Sequence, residues 1–171
     1  MATSMARYGA LPAHVRNALL EIEPSRDGKM AYFPCRAILA DGRAVDTVYI
    51  VPEMAYLRHW GIYPEDDKGK NCIWIEDVAE VEESAARLPA RYANEVYSWG
   101  ESGMGYNRFT VVFADGSRHS CISGNAVDFI CYPKGKGPGD VIAIARQEEK
   151  KERSLVKGPR YYWCLYSELE G

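Results

Sequence analysis

The cysteines of this chain are too irregularly spaced to form a disulfide framework or a structural zinc site. Five occur, the number is odd, and no two make a CxxC pair. We therefore expect reduced thiols that pack as small hydrophobic groups. Because disulfides persist mainly in oxidising compartments, reduced cysteines also predict a cytoplasmic location.

Long apolar runs and a strong excess of one charge are also missing. No run approaches the roughly 18 apolar residues that a membrane span needs, and the N-terminus has no apolar core typical of a secretory signal. The net charge is -3, whereas binding to duplex nucleic acid requires a basic surface. We therefore expect neither a membrane protein nor a protein that binds duplex nucleic acid.

The 171 residues, 47% of them hydrophobic, suffice for one globular domain or for two tightly associated halves. We predict one domain over 1–145, then a charged linker over 146–158. The aromatic segment 159–171 is predicted to form a last strand that docks on a sheet edge, within the chain or on a partner.

Helical spacing of apolar residues, with proline near the start or glycine at the end, predicts short helices within 11–22, 52–61 and 88–100. Runs of β-prone residues predict strands, with an Asp-Gly hairpin in the first of them; they lie at 33–52, 72–83, 106–116, 125–133, 140–145 (expected to be central in a sheet) and 160–169. The fold class is α+β: a strand-rich antiparallel sheet with two to three short covering helices. A half-open barrel is an alternative closure of the same strands.

Two segments of the chain carry similar hairpin signals. The triplets at 40–42 and 114–116 are both Ala-Asp-Gly, and those at 44–46 and 126–128 are both Ala-Val-Asp. This alignment predicts a duplicated hairpin whose second copy holds eight extra residues before its second strand. The two halves would then pair about a pseudo-twofold axis. Chance is the alternative, because Asp-Gly hairpins are common.

The segment Gly100-Glu101-Ser102-Gly103-Met104-Gly105 is unusually rich in glycine. It follows a predicted helix and opens a strand, which is the reverse of the dinucleotide-binding arrangement, and it lacks the Gly-Lys-Ser/Thr of a phosphate-binding loop. One interpretation is a helix cap followed by a turn. The other is a ligand or partner loop, in which the contacts come from Glu101, Met104, Tyr106 and Arg108.

The polar stretch 117–125 contains Arg118, His119 and Cys121. Alternation along an extended segment would place His119 and Cys121 on one face, and a cysteine nucleophile requires a base within hydrogen-bond reach. The alternative is an ordinary polar hairpin tip with one inward cysteine.

Two further segments contain residues that bind ligands in other proteins. His59 precedes the acidic cluster 65–67, which lacks the alternating oxygen ligands of a calcium loop. Lys134 and Lys136 lie among glycines without a helix N-terminus to complete a phosphate site. We expect solvated loops at both places, and neither a metal nor a cofactor.

These features favour a non-enzymatic cytoplasmic recognition protein that binds another protein, as an immunity or antitoxin-like neutraliser or an adaptor does. The acidic charge would steer it toward a basic partner, with Tyr and Trp as anchors. One alternative is a small-molecule-binding or thiol/His-dependent enzymatic domain with its pocket between loops 100–108 and 117–125. Another is a subunit of a larger assembly that oligomerises through residues 160–169.

Overall fold

The structure is a computed structural model that describes residues 7–146 and 155–168. In the described part the fold is α+β, as predicted, with short helices and two open, mostly antiparallel sheets, neither closed into a barrel. The helices are α1 (Ala13–Leu19), α2 (Glu53–Trp60) and α3 (Ala90–Ser98). The strands are β1 (Ser25–Asp27), β2 (Met30–Leu39), β3 (Ala44–Pro52), β4 (Val78–Glu82), β5 (Asn107–Phe113), β6 (Arg118–Ser123), β7 (Val141–Arg146), β8 (Val156–Lys157) and β9 (Tyr162–Tyr166).

The described residues divide into two compact units. Unit 1 comprises residues 7–24, 29–84 and 161–168, and unit 2 comprises residues 25–28, 85–146 and 155–160. Most of the predicted charged linker, residues 147–154, lies outside the described residues.

Unit 1 contains a mixed sheet in the order β4-β2-β3-β9, in which β9 runs parallel to β3. The inner face of this sheet packs on α1 through Val15 and Leu19, which helical spacing brings to one side. The main chain of Trp163 in β9 bonds away from β3, since its N–H donates to Asn71 O (2.8 Å) and its carbonyl accepts from Ile73 N (2.9 Å). The aromatic strand thus docks on a sheet edge and is bonded on both sides.

Unit 2 contains a sheet in the order β7-β5-β6-β8, in which β8 runs parallel to β6. Its core face carries Phe109, Val111 and Phe113, the alternate residues of β5. Tyr92 and Val96 of α3 cover this face. The sheet and α3 together determine where the loop between α3 and β5 lies.

The two sheets share one strand arrangement, and their hairpins have the same register next to the turn, although the β2–β3 pairing has an irregularity between Cys35 and Ala37 that the β5–β6 pairing lacks. In each, a hairpin is flanked by an antiparallel strand beside its first strand and a parallel strand beside its second. Leu39 pairs with Val78 after a bulge in unit 1, and Phe113 pairs with Val141 after a bulge at the matching place in unit 2. A short 3-10 helix precedes the flanking antiparallel strand in both units.

The turns of the two hairpins match down to individual hydrogen bonds. In unit 1 the N–H of Ala40 donates to Asp77 O (2.8 Å), and in unit 2 that of Ala114 donates to Asp140 O (2.9 Å). Each turn glycine has a positive φ, 90° at Gly42 and 85° at Gly116, which favours glycine. The predicted repeat of the first triplets therefore extends to the turn and to the two strands that flank each hairpin.

The predicted alignment of the second triplets does not hold. β6 begins directly after the turn at Arg118, so unit 2 has no eight-residue insertion there. The strand expected over 125–133 is absent from the described structure except for one isolated bridge between Arg87 and Phe129. Asp128 in this segment is buried: its carboxylate accepts hydrogen bonds from the side chains of Ser25 and Tyr97, and its main-chain oxygen accepts one from Leu88 N (2.7 Å).

Two other predicted strands differ from the structure. The strand expected at 72–83 starts with a 3-10 helix, Ile75–Asp77, and only then becomes β4. The strand at 140–145, expected to be central, is β7 at the end of its sheet. Its apolar residues do not all face a core, because Ile142 is 54% exposed.

Unit 1 contains a cluster of packed aromatic side chains around Trp163. Its ring stacks on Tyr49 at 4.7 Å between centroids and meets Tyr56 edge-on at 5.0 Å. The ammonium of Lys70 lies 4.3 Å from the centroid of Trp60, a cation–π contact. Burial lowers the pKa of Lys70, and the negative charge of Asp67 opposes this shift.

We expect Lys70→Met to stabilise the protein more at pH 7 than at pH 10.5. Because the pKa of Lys70 is lower in the folded state than its ordinary 10.5, the unfolded chain binds the proton more tightly, and stability rises with pH in the window just below 10.5. Methionine removes this dependence. Urea unfolding of wild type and variant at both pH values measures it.

The exposed Lys68→Met in the same loop is the matched control. It removes one lysine charge from an exposed position of the loop and so gives the effect of the charge change without burial. A stability difference for Lys70→Met that does not change between the two pH values would contradict the assignment.

Candidate functional site

The glycine-rich segment forms a loop, here called the 100–106 loop, between α3 and β5 of unit 2. Gly100 stops the helix with its N–H on Tyr97 O (3.1 Å) and a φ of 75°. A side chain is unfavourable at that φ. The predicted helix cap and the predicted loop are therefore parts of one element.

Hydrogen bonds within the 100–106 loop hold its conformation. Ser102 N donates to Tyr106 O (3.0 Å), and Gly105 N donates to the carboxylate of Glu101 (3.2 Å). Arg108 N donates to Ser102 Oγ (2.8 Å), which ties the loop to the first residues of β5. The loop is thus ordered by its own polar groups.

The ring of Tyr106 lies against Gly103. A Cβ on Gly103 would overlap the end of that ring, so only glycine allows the ring to rest there. Gly103 and Tyr106 also form an isolated β-bridge. The second glycine of the segment therefore provides close approach.

The end of β6 braces the loop. Asn107 Nδ2 donates to Gly124 O (3.0 Å). With its amide nitrogen turned toward Glu101, Asn125 donates to Glu101 Oε1 (2.9 Å) and Gly105 O (3.3 Å). The loop thus meets residues 124–125, at the end of the hairpin opposite its Asp-Gly turn.

A pocket of about 170 Å³ lies beside the loop. It combines aromatic rings, hydroxyl groups and two guanidinium groups, and its lining residues are Val96, Trp99, Gly100, Glu101, Ser102, Tyr106, Asn107, Arg108 and Arg146. All of them belong to unit 2.

The two arginines of the pocket lie near aromatic rings. The guanidinium carbon of Arg108 is 5.3 Å from the ring centroid of Tyr106, and that of Arg146 is 5.4 Å from the ring centroid of Trp99. Within residues 7–146 and 155–168, neither guanidinium forms an ion pair. The pocket thus offers positive charge, opposite in sign to the net charge of the chain.

The seven residues predicted to form a site are divided by the structure. Glu101, Tyr106 and Arg108 line the pocket. Met104 projects from the loop beside it and is 98% exposed. The other three, Arg118, His119 and Cys121, lie on β6 and do not line the pocket.

His119 and Cys121 do not hydrogen-bond to each other through their side chains in the described structure. Cys121 is buried and its thiol contacts the main-chain oxygen of His119 (3.7 Å), while His119 Nε2 lies 2.9 Å from Cys131 O. Arg118 pairs with Val112 near the Asp-Gly turn, and Arg108 pairs with Ile122 near the other end. Residues 124–125 at the end of this stretch therefore contact the 100–106 loop, whereas Arg118 at its start lies at the opposite end of the hairpin.

The sequence reasoning missed Trp99 and Arg146. Arg146 reaches the pocket because β7 pairs antiparallel with β5, which sets it opposite Phe109. A pairing between strands so distant in sequence leaves no local signal. Trp99, by contrast, directly precedes Gly100, and its position at a helix end beside a glycine loop was a usable signal.

In the two other segments that contain ligand-binding residue types, charged side chains form ion pairs within the protein. Arg7 pairs with Glu65 (3.0 Å) and Asp66 (3.1 Å) in the acidic loop. Lys136 pairs with Asp115, and this contact lowers the pKa of the Asp115 carboxyl. No group of three or more metal-ligating side chains occurs in the part of the chain that the structure describes.

None of the helices among the described residues has both the length and the apolar character needed to cross a membrane. All five cysteines are described, and none forms a disulfide.

No protein-family model, no curated protein and no solved structure matches this chain.

Proposed function

We propose that this chain is a non-enzymatic recognition protein that binds another protein through the 100–106 loop. The observation that carries the proposal is Met104, which stands 98% exposed at the tip of a loop closed by its own hydrogen bonds. Exposure of an apolar side chain on an ordered loop is unfavourable, and the free energy falls only when another surface covers that side chain.

The gain on covering Met104 is about 1.5 to 3 kcal/mol, the usual value for burying such a side chain. The loop pays little ordering entropy on binding, because Glu101 and Ser102 already fix it. Both features favour a rigid contact surface over a flexible connection.

The surroundings of Met104 have the composition of an interface centre. Trp99, Tyr106, Arg108 and Arg146 line the adjacent pocket, and Trp, Tyr and Arg are the residues that most often dominate binding energy. These side chains provide the anchors that the aromatic content of the sequence leads us to expect.

A neutraliser of the immunity or antitoxin type, or an adaptor, is the class of protein that we propose. The net charge of -3 favours encounter with a basic partner, since opposite charges accelerate association. Five cysteines without a disulfide support a reducing compartment, the cytoplasm.

The experiment is affinity capture from the source cell with wild type and Met104→Asp as baits, quantified by mass spectrometry. We expect at least one protein at near-stoichiometric yield on wild type and a drop of about tenfold or more on the variant, since aspartate forfeits the apolar burial and adds a charge to be desolvated. Thermal unfolding of both baits should coincide, because Met104 makes no core contact.

Leu20→Asp is the matched control, because Leu20 is an exposed apolar residue of unit 1 (77%) outside the loop. It should retain the captured protein at the wild-type yield. Failure to recover any protein on wild type, or equal loss on both variants, would reject binding through the loop.

A further inference from the structure

We infer that the pocket beside the 100–106 loop receives the carboxylate of an acidic side chain from the bound protein. The inference rests on the proposed function and names the chemistry of the contact: Met104 packs on the partner surface while Arg108 and Arg146 bind a carboxylate next to it. The lining of this pocket belongs entirely to unit 2.

The first support is unbalanced positive charge. The guanidinium groups of Arg108 and Arg146 form no ion pair within the described residues. The one acid in the lining, Glu101, is engaged, since one oxygen accepts from Gly105 N (3.2 Å) and the other lies 2.9 Å from the amide of Asn125. Among the described residues, the pocket therefore has two guanidinium groups and one carboxylate, which is already hydrogen-bonded.

The second support is desolvation. Arg108 Nε is shielded from solvent and has no hydrogen-bond partner among the described residues. A guanidinium already partly withdrawn from water attracts an anion more strongly than an exposed one, because the local dielectric is lower. The cost of stripping water from this cation has thus been met in part by folding.

The third support is geometry. The guanidinium carbons of Arg108 and Arg146 lie 5.3 Å and 5.4 Å from the ring centroids of Tyr106 and Trp99, and a planar guanidinium binds a carboxylate through two parallel N–H groups. A pocket of about 170 Å³ has room for a carboxylate-bearing side chain, given that one water occupies about 30 Å³ in the liquid.

A singly charged carboxylate fits this pocket better than a phosphate dianion. The loop follows the C-terminal end of α3, where the helix dipole is negative and repels anions in proportion to their charge. The carboxylate of Glu101 in the lining acts in the same direction. The helix dipole and the Glu101 carboxylate both make the binding of a second negative charge less favourable.

The test uses the whole protein and a small probe, the α-amide of N-acetylglutamate, followed by NMR of the arginine side-chain N–H groups and the Trp99 indole. We expect saturable shifts of Arg108, Arg146 and Trp99 at millimolar concentration. Arg108→Gln and Arg146→Gln should each weaken binding about tenfold or more, the equivalent of one charge-assisted hydrogen bond. Arg118→Gln, on β6 and outside the pocket, should change nothing.

Two probes decide the chemistry. The α-amide of N-acetylglutamine has the same shape without the charge and should not bind, and inorganic phosphate should bind more weakly than the glutamate probe. Equal binding of the glutamine probe, tighter binding of phosphate, equal weakening by Arg118→Gln, or no shift at 100 mM probe (about 10² above 1 mM) would each overturn the inference.

The assay needs no protein partner, so its failure is distinguishable from failure of the proposed function. Capture that depends on Met104, together with no response to the glutamate probe, would reject the carboxylate and leave protein recognition standing. Binding of the probe without any captured protein would do the reverse. Circular dichroism of each arginine variant confirms folding, and the wild-type titration stands if one variant unfolds.

Discussion

Replacing Asp128 with alanine is expected to lower the free energy of unfolding of unit 2 by about 3 to 5 kcal/mol. Asp128 is fully buried, and its carboxylate accepts hydrogen bonds from the hydroxyls of Ser25 and Tyr97. Ser25 Oγ in turn accepts from the guanidinium of Arg87 (3.1 Å). The carboxylate is therefore the shared acceptor of a buried polar network.

The cost of losing it is large because the partners stay behind. Each buried hydroxyl deprived of its acceptor costs about 1 to 3 kcal/mol, and Ser25, which accepts a hydrogen bond from the Arg87 guanidinium, loses its own acceptor. Tyr97 Oη also accepts from Val127 N (3.0 Å), so the main chain before Asp128 shifts with it. Asn125, which braces the 100–106 loop, lies in the same segment.

Hydrogen–deuterium exchange of peptides within 88–98 and 107–123 measures the loss in unit 2 alone, and urea unfolding gives its magnitude. Asp115→Ala is the matched control, because Asp115 is an exposed acid of the same unit whose ion pair with Lys136 is also exposed; we expect a much smaller loss. Asp128→Asn keeps the shape and should fall between the two. Equal effects of the two alanine variants would show that the buried network contributes nothing.

Trp163→Ala is the second substitution with a large expected effect, about 3 to 5 kcal/mol of lost stability in unit 1. The indole is 1% exposed and packs against Tyr49, Tyr56 and Trp60. Alanine would leave a cavity among rigid rings, which cannot collapse to fill it as flexible aliphatic side chains do. Lys70 would lose one of its two aromatic neighbours.

Urea unfolding followed by near-ultraviolet circular dichroism, which reports packed aromatic rings, measures this loss. Trp74→Ala is the control, because Trp74 is 45% exposed and lies outside the cluster; it should cost about 1 kcal/mol or less. A loss for Trp163→Ala no greater than that of Trp74→Ala would mean that the cluster is not a stabilising core.

Elements with a local signal could be predicted from the sequence. The Asp-Gly turns and the β-prone runs beside them predicted the hairpin of unit 1 and the first strand and turn of the hairpin of unit 2, and the prolines near the helix starts predicted α1 and α3. Each signal is contained in a few consecutive residues. The α+β class followed from their sum.

The strand predicted over 125–133 from local sequence is absent from the described structure except for one isolated bridge. Its composition is typical of a strand, yet Asp128 finds its partners at Ser25 and Tyr97, far away in the sequence. A buried carboxylate needs hydrogen-bond donors from elsewhere in the fold, and no window of sequence displays them. The same limitation hid Arg146, which strand pairing alone brings to the pocket.

The candidate site was recognisable in part. Three glycines in six residues indicated a special backbone, and their neighbours Glu101, Tyr106 and Arg108 do line a pocket. The link to His119 assumed an insertion, whereas the register places β6 directly after its turn. The alignment of the second hairpin thus grouped three of the seven expected residues, Arg118, His119 and Cys121, with a pocket that they do not line.

The position of β9 in the chain has a consequence for biosynthesis. The ribosome makes most of unit 1 first, then residues 85–160 of unit 2, and only afterwards the strand that pairs with β3. Until β9 is made, the edge of β3 that pairs with it and the aromatic rings that pack on Trp163 lack these partners. Nascent chains therefore expose an unpaired strand edge and apolar surface, both prone to aggregation, through most of translation. Ribosome-bound chaperones that shield exposed strand edges should therefore matter more for the yield of this protein than for one whose sheets close in the order of synthesis.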